Sequence, residues 1–194
     1  MWAYRHENKL DYKLSVASAN FNTQSRQCYE DYLLYLHRIQ YGYSTLTNHG
    51  RAHPHWTRPT NKGKGIPTKR RDIVLNYESI NPAIGDNDFT GNKWLDLEWS
   101  TFEPIETIIK KLPSIAGVYR IKSNEKILYF GESKDLKKRI KEHSRKLHFK
   151  DSLVSVHVMP DAYPYQLKER EADLIGAYYL TTRTSPEYQY NPNK

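Results

Sequence analysis

Apolar positions first fall into helical spacing at residues 26–41 (RQCYEDYLLYLHRIQY), where apolar or aromatic side chains recur at 29, 32, 33, 36 and 39. Residues 72–80 fit a short strand or helix. Residues 81–103, with Pro82, Gly85, Gly91, Trp94 and Trp99, read as loop with local packing. The pattern sharpens at 104. Pro104 opens a short helix that aligns Ile105, Ile108, Ile109 and Leu112 and ends before Pro113. Two strands follow, 116–122 (AGVYRIK) and 126–131 (KILYFG), joined through Ser-Asn-Glu as a hairpin. Ser133 is placed to cap a helix over 134–148 with Asp135 in its first turn. Residues 153–159 (LVSVHVM) predict a third strand and 165–180 a closing helix. The order ββαβα predicts an α+β fold: a small, mainly antiparallel three-stranded sheet flanked by helices. A helical, loop-rich extension precedes it, so the chain divides into 1–103 and 104–194.

Two of these helices carry polar residues where apolar ones are expected. At 100° per residue, Leu136, Ile140 and Leu147 form the inward stripe of 134–148. His143 lies on that stripe and Arg139 at its edge, one turn apart and therefore neighbours. Lys137, Lys138, Lys141 and Arg145 point the other way. In the last helix Leu167, Leu174 and Tyr178 define the stripe, and Glu171 lies on it. A carboxylate facing a core is costly unless it is paired or binds a cation.

The charge pattern adds a partner. The chain has 30 basic and 22 acidic residues among 194, a net charge of +8. Residues 51–71 (RAHPHWTRPTNKGKGIPTKRR) hold Arg51, Arg58, Lys62, Lys64, Lys69, Arg70 and Arg71, with no Asp or Glu, and leave the remainder close to neutral. The prolines and glycines of this stretch disfavour regular structure. It reads as a basic arm for phosphates, with Trp56 available to stack on or wedge between bases. The 16 tyrosines suit wet, stacking interfaces. No apolar run approaches the roughly 18–20 residues that span a bilayer. The opening MWAYRHENKL lacks the apolar centre of a secretory signal. The single cysteine, Cys28, excludes an internal disulfide and a cysteine-held zinc. A cytoplasmic nucleic-acid-binding protein is expected.

The hairpin turns these features into one hypothesis. Gly117-Val118-Tyr119, then Tyr129-Phe130-Gly131-Glu132-Ser133, then Arg139 and His143, then Glu171-Ala172-Asp173-Leu174-Ile175, occur in that order. Over roughly residues 113–192 this series resembles the GIY-YIG nuclease superfamily, most closely its restriction endonucleases, which share the Arg-His pair four apart. Val118 and Phe130 replace the middle Ile of the two triplets and keep an apolar strand face. The family's terminal Asn is matched by Asn191, with Asn193 as the alternative.

The resemblance implies metal-dependent hydrolysis of phosphodiester bonds in double-stranded DNA, leaving a 5′-phosphate and a 3′-hydroxyl. It implies Glu171 as ligand to Mg²⁺ (or Mn²⁺) and Arg139 on the phosphate. Tyr119 becomes the base for the attacking water, His143 a proton relay, and Tyr129 an orienting hydroxyl; Asn191 completes the catalytic set. Lys137, Lys138 and Lys141 join the basic arm as DNA contacts. A sequence-specific type II restriction enzyme is the first expectation, with a homodimer where both strands of a symmetric site are cut. A structure-specific, phage or mobile-element nuclease of loose sequence preference is the alternative, and a catalytically dead DNA-binding module a more distant one.

Overall fold

The computed structural model describes residues 13, 15–45 and 79–191. The basic arm 51–71, residues 72–78 and Asn193 lie outside these described residues. Helix α1 (Thr23–Tyr41) begins three residues before the apolar pattern does, because the Asn22 side chain accepts from the Ser25 N–H at 2.8 Å and caps it. It stops at Gly42, whose left-handed φ of 80° directs its N–H to Arg38 O. Its inward face also differs from expectation. Cys28, Asp31, Tyr35 and Arg38 are buried, whereas Leu33 and Ile39 are exposed. The helix docks by a polar clamp, described below, so apolar periodicity misreads its orientation.

Strand β1 (Glu103–Pro104) leads directly into α2 (Ile105–Lys111), which buries Ile105 and Ile108. Strands β2 (Gly117–Ser123) and β3 (Lys126–Ser133) form the hairpin. Its loop is two residues, Asn124 and Glu125, because Ser123 already pairs with Lys126. Helix α3 (Leu136–Ser144), strand β4 (Leu153–Val158) and helix α4 (Pro164–Thr182) complete the order.

Two expectations about α3 are corrected. Its cap is Asp135, whose side chain accepts from the Lys138 N–H at 2.9 Å, while Ser133 remains in β3 opposite Gly117. The helix ends at Ser144, and a 3₁₀ turn at Leu147–Phe149 swings Phe149 into the core and leaves Leu147 86% exposed. Leu147 is therefore no part of the inward stripe.

The sheet has four antiparallel strands rather than three, in the order β1-β4-β2-β3. The fourth is the two-residue β1, paired with Leu153 and Val154 and too short to show alternation in the sequence. Both faces are covered. On one, Val118, Ile127 and Phe130 pack with Leu174, Ile175 and Tyr178 of α4, with α1, and with Trp94 and Trp99 of the long loop. On the other, Tyr119, Ile121 and Val154 pack with α2, with Leu136 and Ile140 of α3, and with Phe149. Two-sided burial explains why Val118 to Ile121 are all buried, Arg120 included. The Arg120 guanidinium lies 4.2 Å from the Trp99 ring centre and donates to the carbonyls of Phe89 and Gly91, at 2.7 and 2.8 Å. These contacts tie the loop to the sheet.

Arg38 of α1 is 1% exposed and donates to both carboxylate oxygens of Asp173 on α4, from Nε at 2.7 Å and Nη2 at 3.2 Å. It also lies 3.2 Å from Glu169. Glu169 in turn accepts from the hydroxyls of Ser44 and Ser79, each at 2.7 Å, and from the Ile80 N–H. Asp173 takes the Ala83 N–H. The buried charges are thus paired and hydrogen-bonded on all sides, which is the condition for tolerating them. Helix α1 and residues 79–83 are held on α4 by this clamp. No helix among the described residues is long and apolar enough to cross a membrane.

Candidate active site

The hairpin glycines decide where the tyrosines go. A Cβ on Gly117 would lie 2.3 Å from His157 O of the neighbouring strand, so the close start of β2 admits only glycine. A Cβ on Gly131 would lie 2.3 Å from the Tyr119 hydroxyl oxygen. The Tyr119 ring occupies the space that a side chain at 131 would fill. Val118 and Phe130, which flank these positions, point to the opposite core and are fully buried. The alternation of the hairpin therefore sends Val118 and Phe130 toward α4 and the tyrosines toward α3.

Helix α3 meets them there. Tyr119 O and His143 Nε2 are 2.8 Å apart, both groups buried. The Tyr129 ring centre lies 6.0 Å from that of Tyr119 and 5.1 Å from that of His143, and Phe149 closes the back of His143 at 5.0 Å. Arg139, one turn before His143, is 40% exposed and ion-paired with Glu142 at 3.0 Å. Its positive charge acts on both tyrosines, as does the negative charge of Glu171, a half-buried residue of α4. Tyr119, Tyr129, Arg139, His143 and Glu171 thus share one neighbourhood.

Burial, with Tyr129 next to it, holds the Tyr119 hydroxyl well above its usual range, and the nearby Arg139 only partly opposes this. Tyr129 is raised too, by burial and then by Glu171. Both are neutral phenols at neutral pH. Burial, followed by the charges of Arg139, Lys146 and His148, lowers His143 to about 3, so its imidazole is neutral.

A pH dependence follows. Unfolded His143 takes a proton below its ordinary 6.5 and the folded form only near 3. Its contribution to stability is complete above pH 6.5 and is lost as pH falls from there toward 3. We expect the melting temperature of His143→Phe to fall less than that of wild type between pH 7 and pH 4. Parallel curves from circular dichroism melts would contradict it.

Gly131→Ala gives a second expected result. The added methyl must displace the Tyr119 ring, costing about 1–3 kcal/mol of stability and about a hundredfold in the chemical step. Single-turnover cleavage by the folded variant at the wild-type rate would show that the placement of Tyr119 is unimportant.

The remaining expected site residues are distributed as follows. Lys137, Lys138 and Lys141 are exposed on the outer side of α3. Asn191 lies on a tail that runs beside β3: the Tyr188 N–H donates to Leu128 O, and Gln189 Oε1 accepts from the Phe130 N–H. That direction carries the tail from the hairpin turn toward the Glu132 end of the strand. Tyr190 anchors it by donating to Asp31 at 2.5 Å, and Gln24 of α1 donates to the carbonyls of Pro186 and Glu187. The sequence reading missed Glu132 and Lys168, which pair at 3.0 Å beside the site. The only signal for them was adjacency: Glu132 follows Gly131, and Lys168 precedes Glu171 by one turn.

Among the described residues no group of three or more His, Cys, Asp and Glu side chains could hold a metal ion. One half-buried carboxylate, Glu171, faces the tyrosines. That donor set fits a hard divalent cation held by one carboxylate, by water and by substrate phosphate, and it does not fit a cation enclosed by protein.

Residues 115–179 match the model of the GIY-YIG catalytic domain. The match contains Tyr119, Tyr129, Arg139, His143 and Glu171. It marks this part of the chain as a nuclease domain, of a family of DNA-hydrolysing endonucleases, and the α+β architecture is consistent with that fold. No curated protein and no solved structure was found to be similar to the chain.

Proposed function

We propose that the protein is a divalent-metal-dependent endonuclease that cuts double-stranded DNA at specific sequences, as a type II restriction enzyme does, leaving 5′-phosphate and 3′-hydroxyl ends. The observation that carries the reading is the Tyr119–His143 contact of 2.8 Å within a matched nuclease domain, with Tyr129, Arg139 and Glu171 around it. Glu171 would hold the cation, Mg²⁺ or Mn²⁺, which when bound supplies charge stabilisation at the phosphate and the leaving oxygen.

The other roles belong to the chain's own side chains. Arg139 is permanently cationic, stands at the rim, and presents a planar fork to non-bridging phosphate oxygens. A neutral Tyr119 cannot act as a standing phenolate. In the tautomer that leaves Nε2 bare, its hydroxyl donates to His143, so Tyr119 can take a proton from water only as it passes its own along. Burial first, and then the charge of Arg139, keep His143 a weak base, and a phosphate on Arg139 would offset the second contribution. Tyr129 directs its hydroxyl at the phosphate or the water, and Asn191 completes the set from the tail beside β3.

Substrate contacts extend outward from this centre. Lys137, Lys138 and Lys141, with the arm at 51–71, would meet backbone phosphates. Residues 1–103 would supply base contacts through their many Arg, Asn, Gln and His side chains. One site per chain cuts one strand, so cutting both strands of a symmetric sequence calls for a homodimer. Digestion of a long DNA of known sequence tests the specificity. We expect discrete fragments that share one sequence at their ends; a smear would favour a structure-specific, phage or mobile-element nuclease of loose preference.

A further inference from the structure

Lys168 and Glu132 form an ion pair that stability does not explain. The side chains are 39% and 20% exposed, and partly solvated pairs of this kind contribute little to folding. Their location is informative. Glu132 follows Gly131, whose backbone touches the Tyr119 phenol, and lies opposite Val118, the neighbour of Tyr119 on β2. Lys168 precedes Glu171 by three residues on α4, which makes the two side chains surface neighbours, with Cβ atoms about 5–6 Å apart. The structure thus places the Lys168 ammonium on Glu132, next to Gly131 in β3, with Glu171 one turn further along α4. Arg139 stands in a matching state, ion-paired with the exposed Glu142. The two cations come from helices on opposite faces of the sheet and both converge on the edge strand β3.

We propose that Lys168 is a phosphate-positioning residue, and that Glu132 holds its ammonium in place until DNA arrives. A strand entering the site offers a phosphate oxygen in exchange for the Glu132 carboxylate. Lys168 then grips the backbone from the α4 side while Arg139 grips it from the α3 side. Lysine suits this exchange, because its ammonium is a point charge on a flexible stem and needs no fixed fork geometry. The inference rests on the nuclease reading and adds to it a group outside the expected catalytic set.

The test is fluorescence anisotropy of a labelled random-sequence duplex in EDTA across a salt series, with melting curves to verify folding. Lys168→Met weakens binding about threefold to tenfold and flattens the salt slope by about one. Glu132→Gln frees the ammonium and tightens binding by about the same factor. In the double variant the Glu132 change has no effect, because the group it restrained is gone. A purely structural pair would lower melting temperatures and leave the salt slope unchanged. Unaltered binding by either folded single variant, weaker binding by Glu132→Gln, or no low-salt binding by wild type would overturn the proposal. Wild-type cleavage of a long natural DNA with Mg²⁺ separates the two readings. Cleavage beside unaltered binding ends the role of Lys168 alone. No cleavage beside the expected binding changes ends the nuclease reading and leaves the phosphate contact.

Discussion

Glu171→Ala and Arg139→Ala, made separately, are expected to reduce DNA cleavage by at least about a hundredfold to a thousandfold while a gel shift still detects binding. The size follows from removing a group that acts on charge developing in the transition state, within a site that excludes much of the water. Binding is expected to survive because other cations, the exposed Lys137, Lys138 and Lys141 among them, are proposed to meet the backbone. The two losses have different causes. Glu171 is the one half-buried carboxylate whose charge acts on both tyrosines. Without it the proposed cation loses its assigned carboxylate, and raised Mn²⁺ is expected to restore little. Arg139 is the permanent charge at the rim, and lysine in its place keeps the charge but loses the planar fork. Near-normal nicking by Glu171→Ala would remove it from the metal role. Normal nicking by Arg139→Ala would remove the guanidinium from phosphate stabilisation.

Arg38→Ala is expected to cost about 3–5 kcal/mol, because it removes the guanidinium shared by two fully buried carboxylates, Glu169 and Asp173, and leaves Asp173 only the longer, 3.3 Å ion pair with Arg170. For a chain of this length that lowers the melting temperature by roughly 10 °C. Arg38→Lys recovers only part of the loss, since a single ammonium cannot reproduce the paired bonds to Asp173 along with those to Ser44, Ser79 and Ile80 O. Urea midpoints for the three proteins measure this. An Arg38→Ala loss below about 1 kcal/mol would mean that the clamp is solvated when the protein moves. The consequence for function is positional: the clamp holds α1 against the helix that carries Glu171, and α1 in turn anchors the tail that carries Asn191.

The hairpin and α3 were legible in the sequence because several independent signals coincide there. Glycines stand where backbones touch, apolar residues alternate with tyrosines along the strands, and an Arg-His pair at helical spacing lies on or beside an apolar stripe. Glu171 was legible as a carboxylate on the apolar side of α4. The deeply buried Glu169 and Asp173 were not, because Arg38, which pairs with both, lies 135 residues from Asp173 in the chain. No periodicity rule links a cation on one helix to two acids on another. The inward face of α1 was misread for the same reason, since Asp31 and Arg38 face inward there. Strand β1 escaped notice because two residues carry no period. Leu147 was misplaced because an ideal wheel continues past Ser144, where the chain turns into a 3₁₀ bend. The pair Glu132–Lys168 needs both the sheet register and the position of α4, and neither can be read from the linear order.

We propose that the side chains gathered between β2, β3, α3 and α4 act together on one phosphodiester. The most direct test is to incubate the purified protein with a long natural DNA, with Mg²⁺ or with EDTA, and to analyse the ends. Cleavage is expected only with the divalent cation, with ends that a ligase rejoins without prior phosphorylation. DNA left intact by the folded protein in Mg²⁺ and in Mn²⁺, or cut equally well in EDTA, would contradict it.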